Sequence, residues 1–318
     1  MLEVQGGNPN FPADLNISPS AVSTSALHNF EDAFGQGAQE LAILQYGIAG
    51  KVWEASYAMI NYIHPPPHLQ FDPKIFDWSL GAERSGYTIL ELGSGSGFVA
   101  STIARSLDRG CDYLIATDLP EVIPLLKTNI VVGAPGLEKD PAFVTVAPLP
   151  WGSHEDATSL AERALGGHPR MSKLTHIVCS DLVYFPELLA PLLRSLLHVT
   201  SPPFAFASPS EGKAPIICIS YKVRSLSKET PFWQAFGLWF EFWPVLVQDT
   251  SKADFDWAIY GSDFEDPTYL FLARRRPGSP EWKIPQLDDD LLGGVGAQGT
   301  DARKSDDTFE TLLFMTLS

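Results

Sequence analysis

The sequence predicts an α/β protein in which a mostly parallel sheet of seven strands is covered by helices on both faces. Short apolar runs alternate with segments of helical periodicity between residues 88 and 273, as parallel sheets with crossover helices require. The 318 residues are 45% hydrophobic, which is enough for one large core. A glycine-rich turn follows the first buried-type run, at the place where ligands of such sheets bind.

The N-terminal part of the chain gives weaker signals than the centre. Residues 1–38 are polar and have no clear period, so we expect mostly an extension there. Residues 41–45 are compatible with a short strand. Residues 52–63 carry apolar positions at helical spacing, and the three prolines at 65–67 end that helix. A polar connection follows.

Strands and helices then alternate along the chain. Strands are predicted at residues 88–92, 113–117, 143–147, 176–179, 216–221, 242–247 and 269–273. Helices are predicted at residues 97–107, 121–129, 157–165, 186–199 and 230–239. The last helix is assigned a start at Thr230, a cap residue that a proline follows.

Composition divides the chain into three parts. These are an N-terminal extension at residues 1–38, a central domain at 39–277 and a tail at 278–318. A Pro- and Ser-rich insertion at 201–214 interrupts the central domain. The tail is acidic and glycine-rich before an apolar end, so it is expected either to be disordered or to fold back. Packing of that apolar end is favoured over a role as a partner motif.

An excess of acidic residues limits the classes of partner. Lys and Arg number 22 against 38 Asp and Glu, which gives a formal net charge of -16. Such a surface repels phosphate backbones and anionic lipids, so neither nucleic acid nor a membrane is expected as a partner. It attracts a basic protein surface, although acidity serves solubility equally well.

The cysteines and the N-terminus indicate an intracellular protein. Cys111, Cys179 and Cys218 are an odd number and lie in or beside apolar runs, so we expect reduced core thiols. The first residues lack the basic and apolar regions of a signal peptide, and no apolar window is long enough to span a bilayer comfortably. No Cys/His cluster predicts a metal site. The cytoplasm is the expected location, with the nucleus as an alternative.

Three ligands compete for the turn at Gly93, Gly95 and Gly97. A phosphate-binding P-loop needs Lys and Ser/Thr after the last glycine, where Phe98 and Val99 stand. A dinucleotide motif places its third glycine one residue later than this sequence does. The third ligand is S-adenosylmethionine, for which an acidic residue at the strand end is followed by G-x-G-x-G.

Two acidic residues fit the third ligand. Glu91 precedes the glycines and can face the ammonium group of S-adenosylmethionine, directly or through water. Asp118 ends the second strand, where a carboxylate accepts both ribose hydroxyls. An acid at this position is also expected for NAD, and Asp118 alone would serve equally well as the cap of the next helix.

Several stretches together resemble one family. They are GKVWEASYAMINYI at 50–63, ILELGSGSGFV at 89–99, TDLPEVIPLLKTNI at 117–130, LPWG at 149–152 and SDLVYFPELLAPLLRSL at 180–196. The chain resembles the seven-strand, class I methyltransferases with a Rossmann-like sheet, over residues 41 to 276. Within them it is similar to the protein-lysine methyltransferases that act on elongation factors and chaperones.

The resemblance implies a role for each matching residue. Those expected to bind S-adenosylmethionine are Trp53, Glu91, Gly93, Ser94, Gly95, Gly97, Asp118, Trp151 and Ser180. Of these, Trp151 is expected to stack on the adenine and the glycine turn to contact the methionyl part. Asp181 and Tyr184, from the D-x-x-Y signature, are the expected catalytic residues at the entrance for the target side chain.

The function that the resemblance implies is methyl transfer to a lysine of a basic protein. The expected substrate is a translation factor such as elongation factor 1-alpha, or a chaperone, and a monomer is expected. Three alternatives stay open: a small-molecule methyltransferase, a non-catalytic cofactor-binding scaffold and an NAD oxidoreductase. The last needs a later third glycine and a catalytic Tyr-x-x-x-Lys or His pair, which the sequence lacks.

Overall fold

The computed structural model describes residues 10–11, 15–20, 31–78, 86–134, 136, 143–166, 173–207, 210–251, 256–262 and 267–315. The helices are α1 (Glu31–Phe34), α2 (Gln36–Tyr46), α3 (Glu54–Ile63), α4 (Phe98–Ser106), α5 (Ile123–Gly133), α6 (His154–Leu165), α7 (Pro186–Val199), α8 (Leu226–Trp239), α9 (Asp288–Leu292) and α10 (Thr308–Met315). The strands are β1 (Leu69–Asp72), β2 (Thr88–Leu92), β3 (Tyr113–Asp118), β4 (Val144–Pro148), β5 (His176–Ser180), β6 (Ile216–Lys222), β7 (Phe240–Pro244), β8 (Leu246–Asp249), β9 (Ala258–Ile259) and β10 (Thr268–Arg275).

The central sheet has seven strands in the order β4-β3-β2-β5-β6-β10-β7. Pairing is parallel from β4 to β6, and β10 runs antiparallel to both of its neighbours. This arrangement confirms the predicted fold class. The strand order reverses beside β2, because β3 and β4 lie on one side of it and β5 on the other. A crevice therefore forms at the carboxyl ends of β2 and β5.

Two hydrophobic layers cover the sheet, one on each face. Every residue of β2 and β3 is buried, so these strands are apolar runs without alternation. One layer includes Leu193 of α7 and Trp233 of α8. The other includes Met59 of α3 and Leu126 of α5. The carboxyl ends of the central strands lie between these layers.

The predicted strand at residues 41–45 is wrong, because those residues belong to α2. Leu41 and Leu44 are 71% and 79% exposed, so the apolar run does not mark a buried strand. The polar connection after α3 contains β1, which pairs with β8. Together with β9 these strands form a second, three-stranded sheet.

Two predicted C-terminal boundaries are also wrong. The run at 242–247 is divided: β7 ends at Pro244, which has no N–H to extend the ladder, and the following strand joins the second sheet. Helix α8 begins at Leu226 rather than at Thr230. The Glu229 carboxylate accepts from the backbone N–H of Ser225 at 3.0 Å and so satisfies the first turn.

The described part of the tail packs against α8. Phe309 of α10 is fully buried and stacks on Trp233, with ring centres 4.9 Å apart. Gln234 Nε2 donates to Glu310 Oε1 at 2.7 Å across the same contact. The apolar end of the tail thus completes the core on this face of the sheet.

Replacing Phe309 by alanine is expected to lower the free energy of unfolding by about 3–5 kcal/mol, because a fully buried ring leaves a cavity. Chemical denaturation measures this change. The matched control is Phe314→Ala in the same helix, where the ring is 70% exposed and a change within about 0.5 kcal/mol is expected. Equal, small effects of both substitutions would show that the tail does not belong to the core.

Candidate functional site

A cavity of about 300 Å³ lies at the carboxyl ends of the central strands. Eight of the residues predicted for the site border it: Trp53, Gly93, Gly95, Asp118, Trp151, Ser180, Asp181 and Tyr184. They come from five separate segments of the chain, and the sheet order brings them together. The remaining lining is largely apolar.

Three predicted site residues do not border the cavity: Glu91, Ser94 and Gly97. Glu91 is 1% exposed and accepts a hydrogen bond from Ser94 Oγ at 2.9 Å. Burial, with the nearby Asp118 carboxylate, raises the pKa of Glu91 to about 8 although the Ser94 hydrogen bond opposes the rise. A Cβ at Gly97 would lie 2.8 Å from Leu126 Cδ1. Glu91 thus supports the turn through Ser94, and Gly97 leaves no room for a side chain beside Leu126.

The glycine turn requires glycine at its two cavity-facing positions. Gly93 and Gly95 have φ values of 60° and 53°, in the left-handed region. A Cβ at Gly93 would lie 2.7 Å from Leu182 Cδ2 and 2.9 Å from Trp151 Cζ2. Main chain therefore comes within reach of a ligand here, as the methionyl part of S-adenosylmethionine requires.

Asp118 is held at the end of β3 by two backbone amides. Its Oδ2 accepts from Gly95 N at 2.7 Å and its Oδ1 from Leu119 N at 2.7 Å. Burial raises the pKa of Asp118 to about 6, against the effect of these two hydrogen bonds. Each oxygen keeps a lone pair for a hydroxyl. The alternative role as a helix cap is not seen, because α5 begins at Ile123 without a side-chain cap.

Trp151 and Ser180 are also fixed by neighbouring groups. The turn that carries Trp151 is tied to α7 by the Gly152 N–H, which donates to Ser195 Oγ at 2.8 Å. Ser180 Oγ lies in a chain of hydroxyls, 3.1 Å from Ser220 Oγ and 3.2 Å from Ser56 Oγ. The indole and the hydroxyl on two sides of the cavity are thus oriented before any ligand enters.

Asp181 forms a bidentate ion pair with Arg224, a residue that the sequence analysis missed. Arg224 Nη1 lies 2.6 Å from Asp181 Oδ1 and Nη2 lies 2.5 Å from Oδ2. Asp181 has a φ of 62°, and its backbone N–H donates to Ser220 O at 2.8 Å. The available signal was the position of Arg224 just after β6, because residues that follow parallel strands line such crevices.

Tyr184 borders the cavity beside this ion pair. Burial raises the pKa of Tyr184 well above its usual range, and the Asp118 and Asp181 carboxylates add to the rise. The phenol therefore stays protonated near neutral pH. It can donate one hydrogen bond and accept others, but it is not a base there.

The N-terminal segment also forms part of the cavity wall, through Asn10 and Leu15. The Asn10 carbonyl accepts from Ile48 N at 2.8 Å. Ser20 N donates to the buried Gln39 Oε1 at 3.1 Å, which ties the segment to α2. Residues 1–38 were predicted as an extension because this irregular segment has no periodicity to read.

Two negative observations accompany the site. Within the described ranges, no helix combines the length and apolar character needed to cross a bilayer. Among the same residues, no group of three or more His, Cys, Asp or Glu side chains is placed to hold a metal ion.

Comparison with known proteins gives a family match and distant structural likenesses. The family model for lysine methyltransferases matches residues 38–234. No curated protein sequence matches the chain.

Three solved structures illustrate the likenesses. The CurJ carbon methyltransferase is 14% identical at a TM-score of 0.38, over 77% of this chain and 60% of that chain. The human methyltransferase 10 domain containing protein is 10% identical at a TM-score of 0.37, over 70% of this chain and 83% of that chain. Aeropyrum pernix fibrillarin with natively bound S-adenosyl-L-methionine is 17% identical at a TM-score of 0.33, over 60% of this chain and 67% of that chain. At these TM-scores the likenesses add nothing to the sheet described above.

Cofactor binding is expected to weaken as the pH falls through about 6, because Asp118 then takes up a proton. The ionised carboxylate is the better acceptor for two hydroxyls, so affinity is full above this pH. Calorimetric titration with S-adenosylhomocysteine is expected to show roughly tenfold weaker binding at pH 5 than at pH 7. The Asp118→Asn variant is expected to bind weakly at both values. Equal wild-type affinity at both would contradict this role.

Gly47→Ala is expected to weaken cofactor binding by roughly fivefold or more, a loss of about 1 kcal/mol. Gly47 has a φ of 58°, and a Cβ there would lie 1.6 Å from the Asn10 carbonyl oxygen, so the N-terminal segment must move. Gly37→Ala is the matched control, because nothing lies within 4 Å of its Cβ position. The same affinity for both variants would show that the segment does not contribute to the site.

Proposed function

The chain belongs to the lysine methyltransferase family, and from this membership we propose that it is an S-adenosylmethionine-dependent protein-lysine N-methyltransferase. The observation that carries the proposal is that one cavity is lined both by residues suited to the cofactor and by residues suited to the acceptor amine. Gly93, Gly95 and Asp118 suit the cofactor, while Asp181 and Tyr184 lie on the lining beside them. A methyl donor and an acceptor amine can therefore meet in one enclosed space.

The residues present fit the cofactor. The main chain at Gly93 and Gly95 would hold the methionyl part, Asp118 the ribose and Trp151 the adenine, with Trp53 and Ser180 beside them. When bound, S-adenosylmethionine supplies a methyl group activated on a sulfonium. The Asp118 carboxylate, ionised above a pH of about 6, gives this side of the site a negative charge that suits a cationic ligand.

The acceptor side must present a neutral amine. The reference pKa of lysine is about 10.4, so only about one in a thousand side chains is neutral near pH 7. Leu182, Phe185 and Leu188 border the cavity and exclude water, and loss of solvation lowers the pKa of an amine. The Tyr184 phenol can orient the nitrogen by hydrogen bonding, and alignment of the reacting atoms supplies most of the acceleration.

The proposed substrate is a basic protein, with a lysine of elongation factor 1-alpha first and a chaperone lysine second. Its support is the sequence resemblance together with the net charge of -16, which attracts a basic surface. We assign the reaction to the cytoplasm and the active species to a monomer.

A small-molecule methyltransferase is the second candidate. The observation in its favour is that Asn10 and Leu15 close one side of the cavity, as the lid of a small-molecule enzyme does. A protein lysine must then enter past other residues of the lining, which include Tyr184 and Arg224.

Incubation of the purified protein with labelled S-adenosylmethionine and purified elongation factor 1-alpha is expected to label the factor. Peptide mass spectrometry is expected to place the methyl groups on lysine. The Asp118→Ala variant serves as the control and is expected to transfer at least roughly a hundredfold less, because its ribose contact is lost. A parallel incubation replaces the purified factor with a cell lysate. Label confined to small molecules of that lysate, with no labelled protein, would favour the second candidate and sink the protein-lysine assignment.

A further inference from the structure

Arg224 joins the end of β5 to the start of α3. Its guanidinium holds both oxygens of Asp181, at the end of β5. It also lies 5.3 Å from the ring centre of Trp53, and its Nη2 is 3.6 Å from Glu54 Oε2 at the start of α3. Arg224 itself lines the cavity. One side chain thus sets the relative positions of a carboxylate, an indole and a helix.

The backbone of Arg224 is held as firmly as its side chain. Glu229 Oε2 accepts from Arg224 N at 3.3 Å and from the Tyr221 hydroxyl at 2.5 Å. Glu229 is 1% exposed and lies in the first turns of α8. The guanidinium therefore projects from a fixed point rather than from a mobile loop.

The ion pair leaves Asp181 with a fixed charge. The side chain of Asp181 is 1% exposed and that of Arg224 is 29% exposed. A bidentate guanidinium–carboxylate pair is strong and geometrically specific, and removal of one partner from a buried pair leaves an uncompensated charge. Burial opposes the charge on Arg224, but the hydrogen bonds and charge of Asp181 raise the pKa of Arg224 above its ordinary value. Arg224 therefore keeps its charge.

We propose that Arg224 is a positioning residue for the methyl transfer, acting through Asp181. It fixes the Asp181 carboxylate on the acceptor side of the cavity, where the amine would be aligned. Because the guanidinium donates to both oxygens of Asp181, that carboxylate acts by its position and does not take the proton of the amine, which goes to water. The inference rests on the proposed function and names a further residue of its acceptor side.

The test compares four variants with the wild type: Arg224→Gln, Arg224→Lys, Asp181→Asn and the double variant Asp181→Asn/Arg224→Gln. The matched control is Arg276→Gln, because the Arg276 side chain is 31% exposed, pairs with Asp306 at 3.5 Å and does not line the cavity. For each protein, kcat and KM for the acceptor protein, S-adenosylhomocysteine affinity and thermal unfolding are measured.

Arg224→Gln is expected to lower kcat by roughly thirtyfold or more, with KM and cofactor Kd within about threefold of the wild type. Arg224→Lys is expected to recover less than half of the lost activity. A lysine ammonium can neither bind both Asp181 oxygens in a planar, bidentate manner nor stack on the Trp53 ring. The double variant is expected to lose no more than the worse single variant, since the residues act as one unit. Arg276→Gln is expected to keep wild-type kcat.

Three results would overturn the inference. One is a kcat for Arg224→Gln within about twofold of the wild type, and another is additive loss in the double variant. The third is a loss of S-adenosylhomocysteine affinity as large as the loss of kcat, which would show that Arg224 acts by supporting the cofactor site. If Arg224→Gln does not fold, the kcat and cofactor Kd of Arg224→Lys decide. Methylation of lysine by the wild type tests the proposed function alone. The ratio of each variant's kcat to that of the wild type tests the role of Arg224 alone.

Discussion

The hydrogen bond from Gly95 N to Asp118 Oδ2 joins the ends of two neighbouring strands, and the candidate site depends on it. Parallel pairing of β2 with β3 sets the register, and the positive φ of Gly95 turns its amide towards the carboxylate. Leu119 N holds the other oxygen, so the carboxylate has little freedom left. A rigid acceptor is what recognition of two adjacent hydroxyls requires. The turn and the acid thus form one unit.

The central sheet is predictable from the sequence because its strands are buried on both faces. Such strands appear as apolar runs, and their order along the chain dictates the crossover helices. Residues 41–45 mislead because a short apolar run is the same in a strand and in an exposed helix. Strands β1 and β8 of the second sheet have only four residues each, with half-polar composition, so no pattern marks them.

The meeting of several predicted residues at one cavity follows for the same reason, and the family match bears out the resemblance to lysine methyltransferases. Gly93, Asp118 and Trp151 each lie at or just after the end of a strand, and parallel strands bring such residues to one edge. The pairing of Arg224 with Asp181 spans 43 positions and has no periodic signal. The contribution of Asn10 depends on one irregular backbone contact. Interactions between distant, non-repeating positions emerge only from the folded chain.

The burial of Glu91 beneath the glycine turn couples folding to proton uptake. Its pKa is about 8 in the folded protein against 4.5 for a solvated glutamate. The folded chain therefore binds a proton more tightly than the unfolded chain between these values, and the contribution of this group to stability declines as the pH rises across that range. Lowering the pH from neutral therefore increases the contribution of Glu91, beneath the glycine turn, to the stability of the fold. Acid lowers the stability that a salt-bridged carboxylate contributes, whereas it raises the stability that Glu91 contributes.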